Sequence, residues 1–88
     1  MNVIYLVTGA AGHLGNTIVN MLVKDGRPVR ALVLPTDKNA RQLPSEAEIF
    51  TGDIRDKNSL RPFFARRGDA RLIVIHTAGI VTIASKYM

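Results

Sequence analysis

Apolar and polar positions alternate along this chain in two rhythms, and the rhythm changes at glycine and proline. Val3 to Thr8 is a short run of apolar and β-favouring residues, which predicts a buried strand. From His13 to Lys24, Leu14, Ile18, Met21 and Leu22 recur at helical spacing, so an amphipathic helix follows with those residues as its apolar stripe. Gly26 stands just past the end, where a left-handed capping residue is expected. Pro28 to Leu34 reads as a second strand, stopped by Pro35. Thr36 to Gln42 is polar and has room for a short helix, Ala47 to Thr51 reads as a third strand, and Arg71 to His76 as a fourth.

Between the third and fourth strands a helix is expected over roughly Ser59 to Arg67, and Pro62 bears on where it starts. With Asp56 as N-cap, Pro62 would lie past the first turn and break a hydrogen bond to Asn58. With Ser59 as N-cap, Pro62 lies in the first turn, where its missing N–H costs nothing. The second arrangement is preferred, with a looser turn from Asp56 to Asn58 ahead of it.

Strands and helices in this order make an α/β fold: a parallel sheet joined by right-handed crossovers. The strand order expected for such a Rossmann-type half is 3-2-1-4, with a ligand crevice between the first and fourth strands. No repeat, low-complexity tract or linker interrupts it, so residues 1–88 form one domain with a modest core.

Composition narrows the picture. Apolar residues make up 47%, which is ordinary for a globular protein and argues against disorder. The absence of cysteine excludes a disulfide scaffold and a thiolate metal site, and fits an expected cytoplasmic location. Leu72 to Ala84 is too short to span a bilayer, so no membrane partner is expected. Nor does the N-terminus read as a signal peptide, since no basic residue precedes its apolar run. The net charge is +5, with Arg55, Lys57, Arg61, Arg66, Arg67 and Arg71 close together. Such a cluster could attract an anionic partner, but no nucleic-acid motif accompanies it. A solvated helix face is the preferred reading, and no nucleic-acid partner is expected.

The chemistry is concentrated at the carboxyl ends of the strands. After the first strand comes Thr8-Gly9-Ala10-Ala11-Gly12-His13-Leu14-Gly15. Gly9 allows a sharp turn, Gly12 lets phosphate oxygens reach the backbone, and Gly15 lets the helix pack closely on the sheet. The helix N-terminus then presents free N–H groups and a positive dipole end to a pyrophosphate. Gly9, Ala11, Gly12, His13, Leu14 and Gly15 are therefore candidate cofactor contacts, with the His13 ring packed near the helix start rather than catalysing.

After the third strand, Gly52-Asp53-Ile54-Arg55-Asp56 places Asp53 where it can accept from an adenine amino group, with the Ile54 backbone at the ring edge. Asp53 as a mere turn former is the competing reading. After the fourth strand, His76-Thr77-Ala78-Gly79 offers small residues against which a ligand can lie, so Thr77, Ala78 and Gly79 join the candidates. His76 itself reads as a packed, hydrogen-bonded core residue, and two histidines without cysteine make no zinc site.

An acidic residue at the end of the second strand would favour NAD, and an arginine NADP. Leu34 and Pro35 stand there instead. Arg30, Lys38 and Arg41 are near enough in sequence to meet a 2′-phosphate, and Asp37 to meet a ribose hydroxyl. All four also suit an ordinary surface. The surplus of cations tilts the reading towards NADP.

These three motifs resemble the N-terminal half of the extended short-chain dehydrogenase/reductase family. Its glycine run has this Gly-x-x-Gly-x-x-Gly spacing behind a threonine, its adenine motif is Asp-x-x-Asp, and its fourth strand ends in His-x-Ala-Ala/Gly. Val29 to Pro35 looks most like the dihydroflavonol-reductase branch, which usually has arginine where Leu34 stands. The resemblance implies an NAD(P)-dependent oxidoreductase, epimerase or dehydratase working on a small-molecule substrate.

Family catalysis uses a serine or threonine, then a tyrosine with a lysine four residues after it. Neither Tyr5 nor Tyr87 has that lysine. The expectation is an NAD(P)-binding N-terminal portion of a longer protein, not catalytic on its own, whose fourth strand is left as an edge that invites a second copy. A non-catalytic redox sensor with the same nucleotide fold is the alternative, and a solitary nucleotide-binding module a third.

Overall fold

The computed structural model describes residues 3–66 and 68–77. Its elements are β1 (Val3–Thr8), α1 (His13–Lys24), β2 (Val29–Val33), a 3₁₀ turn (Lys38–Gln42), β3 (Glu48–Thr51), a second 3₁₀ turn (Lys57–Leu60) running into α2 (Arg61–Phe64), and β4 (Arg71–His76). The four strands form one parallel sheet in the order β3-β2-β1-β4, as the alternation of elements predicts.

Side chains alternate across the sheet, so its two faces carry two cores. Val7, Val29, Ala31 and Val33 meet Val19 of α1 on one face. Ile4, Leu6 and Leu32 meet Phe63 of α2 on the other, where Phe63 also packs edge-on against Phe50.

Helix α1 ends as its sequence predicts. Gly26 takes φ +74°, its N–H donates to the Val23 carbonyl, and the Arg27 N–H donates to the Leu22 carbonyl. That pair of bonds closes the helix with a left-handed glycine. The predicted apolar stripe needs correction. Gly15 and Val19 are buried, with Ile18, Leu22 and Val23 packed beside them, whereas Leu14 is 48% and Met21 65% exposed. A Cβ added to Gly15 would lie 2.1 Å from the Gly9 carbonyl oxygen. This close pass sets the rotation of the helix and turns Leu14 and Met21 away from the sheet.

The helix expected over Ser59 to Arg67 is shorter and starts differently. Asp56, not Ser59, caps the 3₁₀ turn by accepting from the Asn58 N–H at 3.1 Å. The chain avoids the penalty at Pro62 by switching hydrogen-bond pattern: the Arg61 N–H takes the Asn58 carbonyl, and Pro62 falls at the second position of α2. Ser59 is left free to bond Asp53. The α-helical segment stops at Phe64.

Arg30 is the largest departure from expectation. It is 2% exposed and points to the α2 face, so it is no candidate for a phosphate. Its Nη1 donates to the carbonyls of Phe63 at 2.8 Å and Ala65 at 2.6 Å, and its guanidinium lies 5.7 Å from the Phe50 ring centre. A cation donating to carbonyls at the end of a helix satisfies groups that otherwise lack partners. Glu48 lies 3.8 Å from its Nε and gives the buried charge a counter-ion.

Two measurements test this packing. Gly15→Ala should lose about 3 kcal/mol of stability in urea unfolding, the upper end for overpacking, because the methyl meets rigid backbone. Gly12→Ala is the control, since its added Cβ meets the Gly9 oxygen only at 3.3 Å; equal losses would contradict the contact described. Arg30→Met, similar in length but without donors, should cost about 1–3 kcal/mol for the orphaned carbonyls. An unchanged unfolding midpoint would show that those carbonyls find water.

Candidate functional site

At the carboxyl end of the sheet, backbone hydrogen bonds draw three strand ends together. The Ala10 N–H donates to the Leu32 carbonyl at 3.2 Å, and the Gly52 N–H to the Val33 carbonyl at 2.9 Å. Gly9 makes the turn off β1 at φ +62°, a left-handed conformation that suits glycine. Between these ends lies a cleft of about 270 Å³, lined by Gly9, Ala11, Val33, Leu34, Asp37 and Asp53 among others. It covers the ends of β1, β2 and β3.

Helix α1 begins beside this cleft. Gly12 is its N-cap, no side chain caps it, and no acidic residue stands in its first turn. Among the described residues, the first-turn N–H groups therefore have neither a side-chain cap nor an acidic neighbour in the turn, which is the arrangement that receives an anion. Ala11 is buried, and Gly12 and Leu14 are exposed. His13 is exposed rather than packed, and borders a polar depression with Asn16, Thr17, Asn39 and Gln42.

Asp53 stands at the cleft wall on the loop after β3. Its backbone N–H donates to Ser59 Oγ at 3.0 Å. Its Oδ1 accepts from the Arg55 N–H at 2.9 Å, and its Oδ2 from Arg55 Nη2 at 2.7 Å. Those two bonds, the guanidinium first, hold its carboxyl well below the usual range, at about 2. Asp53 thus forms the turn and lines the cleft. Ile54 follows it at the rim, 48% exposed.

Asp37 lines the same cleft and caps the Lys38–Gln42 turn by accepting from the Asn39 N–H at 2.9 Å. Lys38 and Arg41 are exposed on that turn and do not line the cleft. Of the four residues near the end of β2 singled out in the sequence, Asp37 is the one that lines the cleft.

On the other side of β1, Thr77 is bonded to the glycine turn. Its Oγ1 lies 2.5 Å from the Thr8 carbonyl oxygen, to which it donates, and its N–H donates to Thr8 Oγ1 at 3.2 Å. His76 Nδ1 shares a 2.7 Å hydrogen bond with the same threonine hydroxyl. His76 is thus hydrogen-bonded as expected but exposed on the edge strand rather than packed in a core. Ala78 and Gly79 lie outside the described residues. Among the described residues, no group of three or more His, Asp or Glu is placed to hold a metal ion. No helix among them is long and apolar enough to cross a membrane.

Comparison with known proteins places this geometry. A profile of the NAD dependent epimerase/dehydratase family matches residues 5–87. The chain is 41% identical over 78 residues to sterol demethylase protein B of Methylococcus capsulatus, covering 89% of this chain and 23% of that one. It is 36% identical over 63 residues to a UDP-glucose 4-epimerase of Streptomyces lividans, covering 72% and 19%. A crystal structure of UDP-glucose 4-epimerase superposes with a TM-score of 0.72 at 26% identity, over 96% of this chain and 27% of that one. The chain thus spans about a quarter of the length of these relatives. With its parallel 3-2-1-4 sheet and the glycine turn feeding an uncapped helix, the chain belongs to the NAD dependent epimerase/dehydratase family.

Proposed function

We propose that the protein carrying this chain is an NAD-dependent oxidoreductase or epimerase, and that these residues form its dinucleotide-binding part. The observation that carries the reading is the uncapped first turn of α1, held against the Gly9 turn beside a cleft with two carboxylates. The pyrophosphate sits on the first-turn N–H groups, with Gly12 at the closest approach. Adenine enters the cleft, where Val33 and Leu34 give apolar contact and Asp53 accepts from the exocyclic amino group. The Ile54 backbone addresses the ring edge. Thr77, followed in sequence by Ala78 and Gly79, borders the path towards the nicotinamide.

When bound, the cofactor supplies hydride transfer at a carbonyl or alcohol carbon. The chain's own residues bind and orient it. Proton transfer in the related enzymes needs a tyrosine with a lysine four residues on, and neither tyrosine of this chain fills that place. Tyr5 belongs to β1, and its hydroxyl lies 3.4 Å from Arg27 Nη1, ahead of β2. The glycine turn is at the other end of β1. Tyr87 lies outside the described residues. Residues 1–88 therefore bind the cofactor without completing the reaction, because general acid–base catalysis, typically worth about 10²–10⁴-fold, lacks its donor.

The cofactor form follows from charge. Lys38 and Arg41, near the end of β2, lie outside the cleft; Arg55 lines it but is paired with Asp53, and Asp37 lines it as well. A 2′-phosphate beside Asp37 meets like charge; a ribose hydroxyl meets an acceptor. This supports NAD over NADP.

Two titrations test the proposal. Gly12→Val should abolish NADH binding measured by fluorescence while the circular dichroism spectrum stays native. Undiminished affinity in the folded variant would remove the glycine turn from the site. NADPH should bind the native protein at least about tenfold more weakly than NADH, a difference of about 1.4 kcal/mol. Asp37→Asn, which keeps a competent cap, should narrow that gap; equal native affinities would refute the role assigned to Asp37.

A further inference from the structure

We propose that Arg55 is a positioning residue for the adenine contact: its planar guanidinium and its own backbone N–H together hold the Asp53 carboxylate in one orientation at the cleft wall. The proposal rests on the reading of Asp53 as the adenine acceptor.

The loop fixes Asp53 twice. Ser59 secures its backbone: Oγ accepts from the Asp53 N–H at 3.0 Å and lies 2.8 Å from the Asp56 carbonyl, to which it donates. Arg55 secures its side chain. The Arg55 N–H and Nε reach Oδ1 at 2.9 and 3.1 Å, and Nη2 reaches Oδ2 at 2.7 Å. With both oxygens engaged by one rigid fork, the plane of the carboxylate is set. Each oxygen keeps acceptor capacity for a further donor.

The energetics identify what this pair does. The Arg55 side chain is 85% exposed and that of Asp53 27%. An ion pair so open to water adds little to folding stability. Its consequence is geometric: an aspartate at a loop end otherwise samples several rotamers, and immobilising it on binding would cost affinity. Arg55 meets that cost before the ligand arrives. Among the described residues, Asp37, from the loop after β2, is the third charged side chain lining the cleft, with Asp53 and Arg55.

The experiment compares Arg55→Gln and Arg55→Lys with the native protein, using NADH and nicotinamide mononucleotide, which lacks adenine. Asp53 ionisation is followed by carboxyl ¹³C NMR. Arg55→Gln should weaken NADH by up to about tenfold, the cost of immobilising one side chain on binding, leave the mononucleotide unchanged, and raise the Asp53 titration from about 2 towards 3.8. Arg55→Lys supplies charge without the fork, so Asp53 should rise less than in Arg55→Gln while NADH is still weakened. Far-UV circular dichroism checks folding, which the exposure of Arg55 favours. Unchanged NADH affinity in both variants, or equal losses for both ligands, overturns the proposal. If Asp53→Ala in the native background leaves NADH binding intact, the adenine assignment itself falls, and the role of Arg55 with it.

Discussion

Helix α1 must start against the carboxyl end of β1, and the distance between them is set where Gly15 passes the Gly9 carbonyl. A side chain at position 15 would overlap that oxygen, so the two backbones approach as closely as backbones can. Much of the architecture depends on this contact. It sets the rotation of α1, bringing Val19 into the core and leaving Leu14 and Met21 outside. It also brings the helix N-terminus, with its unpaired donors, to the end of the sheet where the cleft opens. One packing constraint thus serves both the fold and the site.

The opposite face of the sheet is organised around a charge. Arg30 crosses the apolar layer beside the Phe50 ring and donates to the carbonyls that end α2. Burying a guanidinium is expensive, and it is tolerable here because two carbonyls and Glu48 meet it. Tying β2 to α2 in this way steadies the segment that precedes β4.

The loops at the carboxyl end are built from short polar side chains that bond their own backbone. Asp37 caps one turn, Asp56 caps another, and Ser59 bridges Asp53 and Asp56. Each of these bonds is weak alone and local in sequence. Together they hold two carboxylates at the rim of an apolar cleft, where Arg55 is the one cation among the described residues that line it. On the far side of β1, Thr8 and Thr77 carry the same kind of tie from the glycine turn to the end of β4. Strand β4 borders the sheet with Ile73 and Val74 partly open, 37% and 46% exposed.

The strands, the first helix and the glycine turn were legible in the chain because their causes are local. Apolar runs bounded by glycine and proline dictate strands, and Gly26 ends α1 by its own left-handed backbone. The parallel order 3-2-1-4 follows from the alternation of elements, since strands joined through helices run the same way. What the sequence left open depends on which face of an element meets a neighbour. Periodicity placed Leu14 and Met21 on the apolar stripe, but the rotation of α1 is decided by the contact of Gly15 with Gly9. Arg30 looked like a surface cation because its type is usually exposed; only the placement of α2 supplied the carbonyls that bury it. Pro62 argued for Ser59 as a cap, yet a switch to 3₁₀ bonding let Asp56 take that place and released Ser59 to hold Asp53. The residue types and their order determined the fold and singled out the candidate site, whereas the tertiary structure decided which charges line the cleft, because burial and hydrogen-bond partners belong to pairs of elements rather than to positions along a chain.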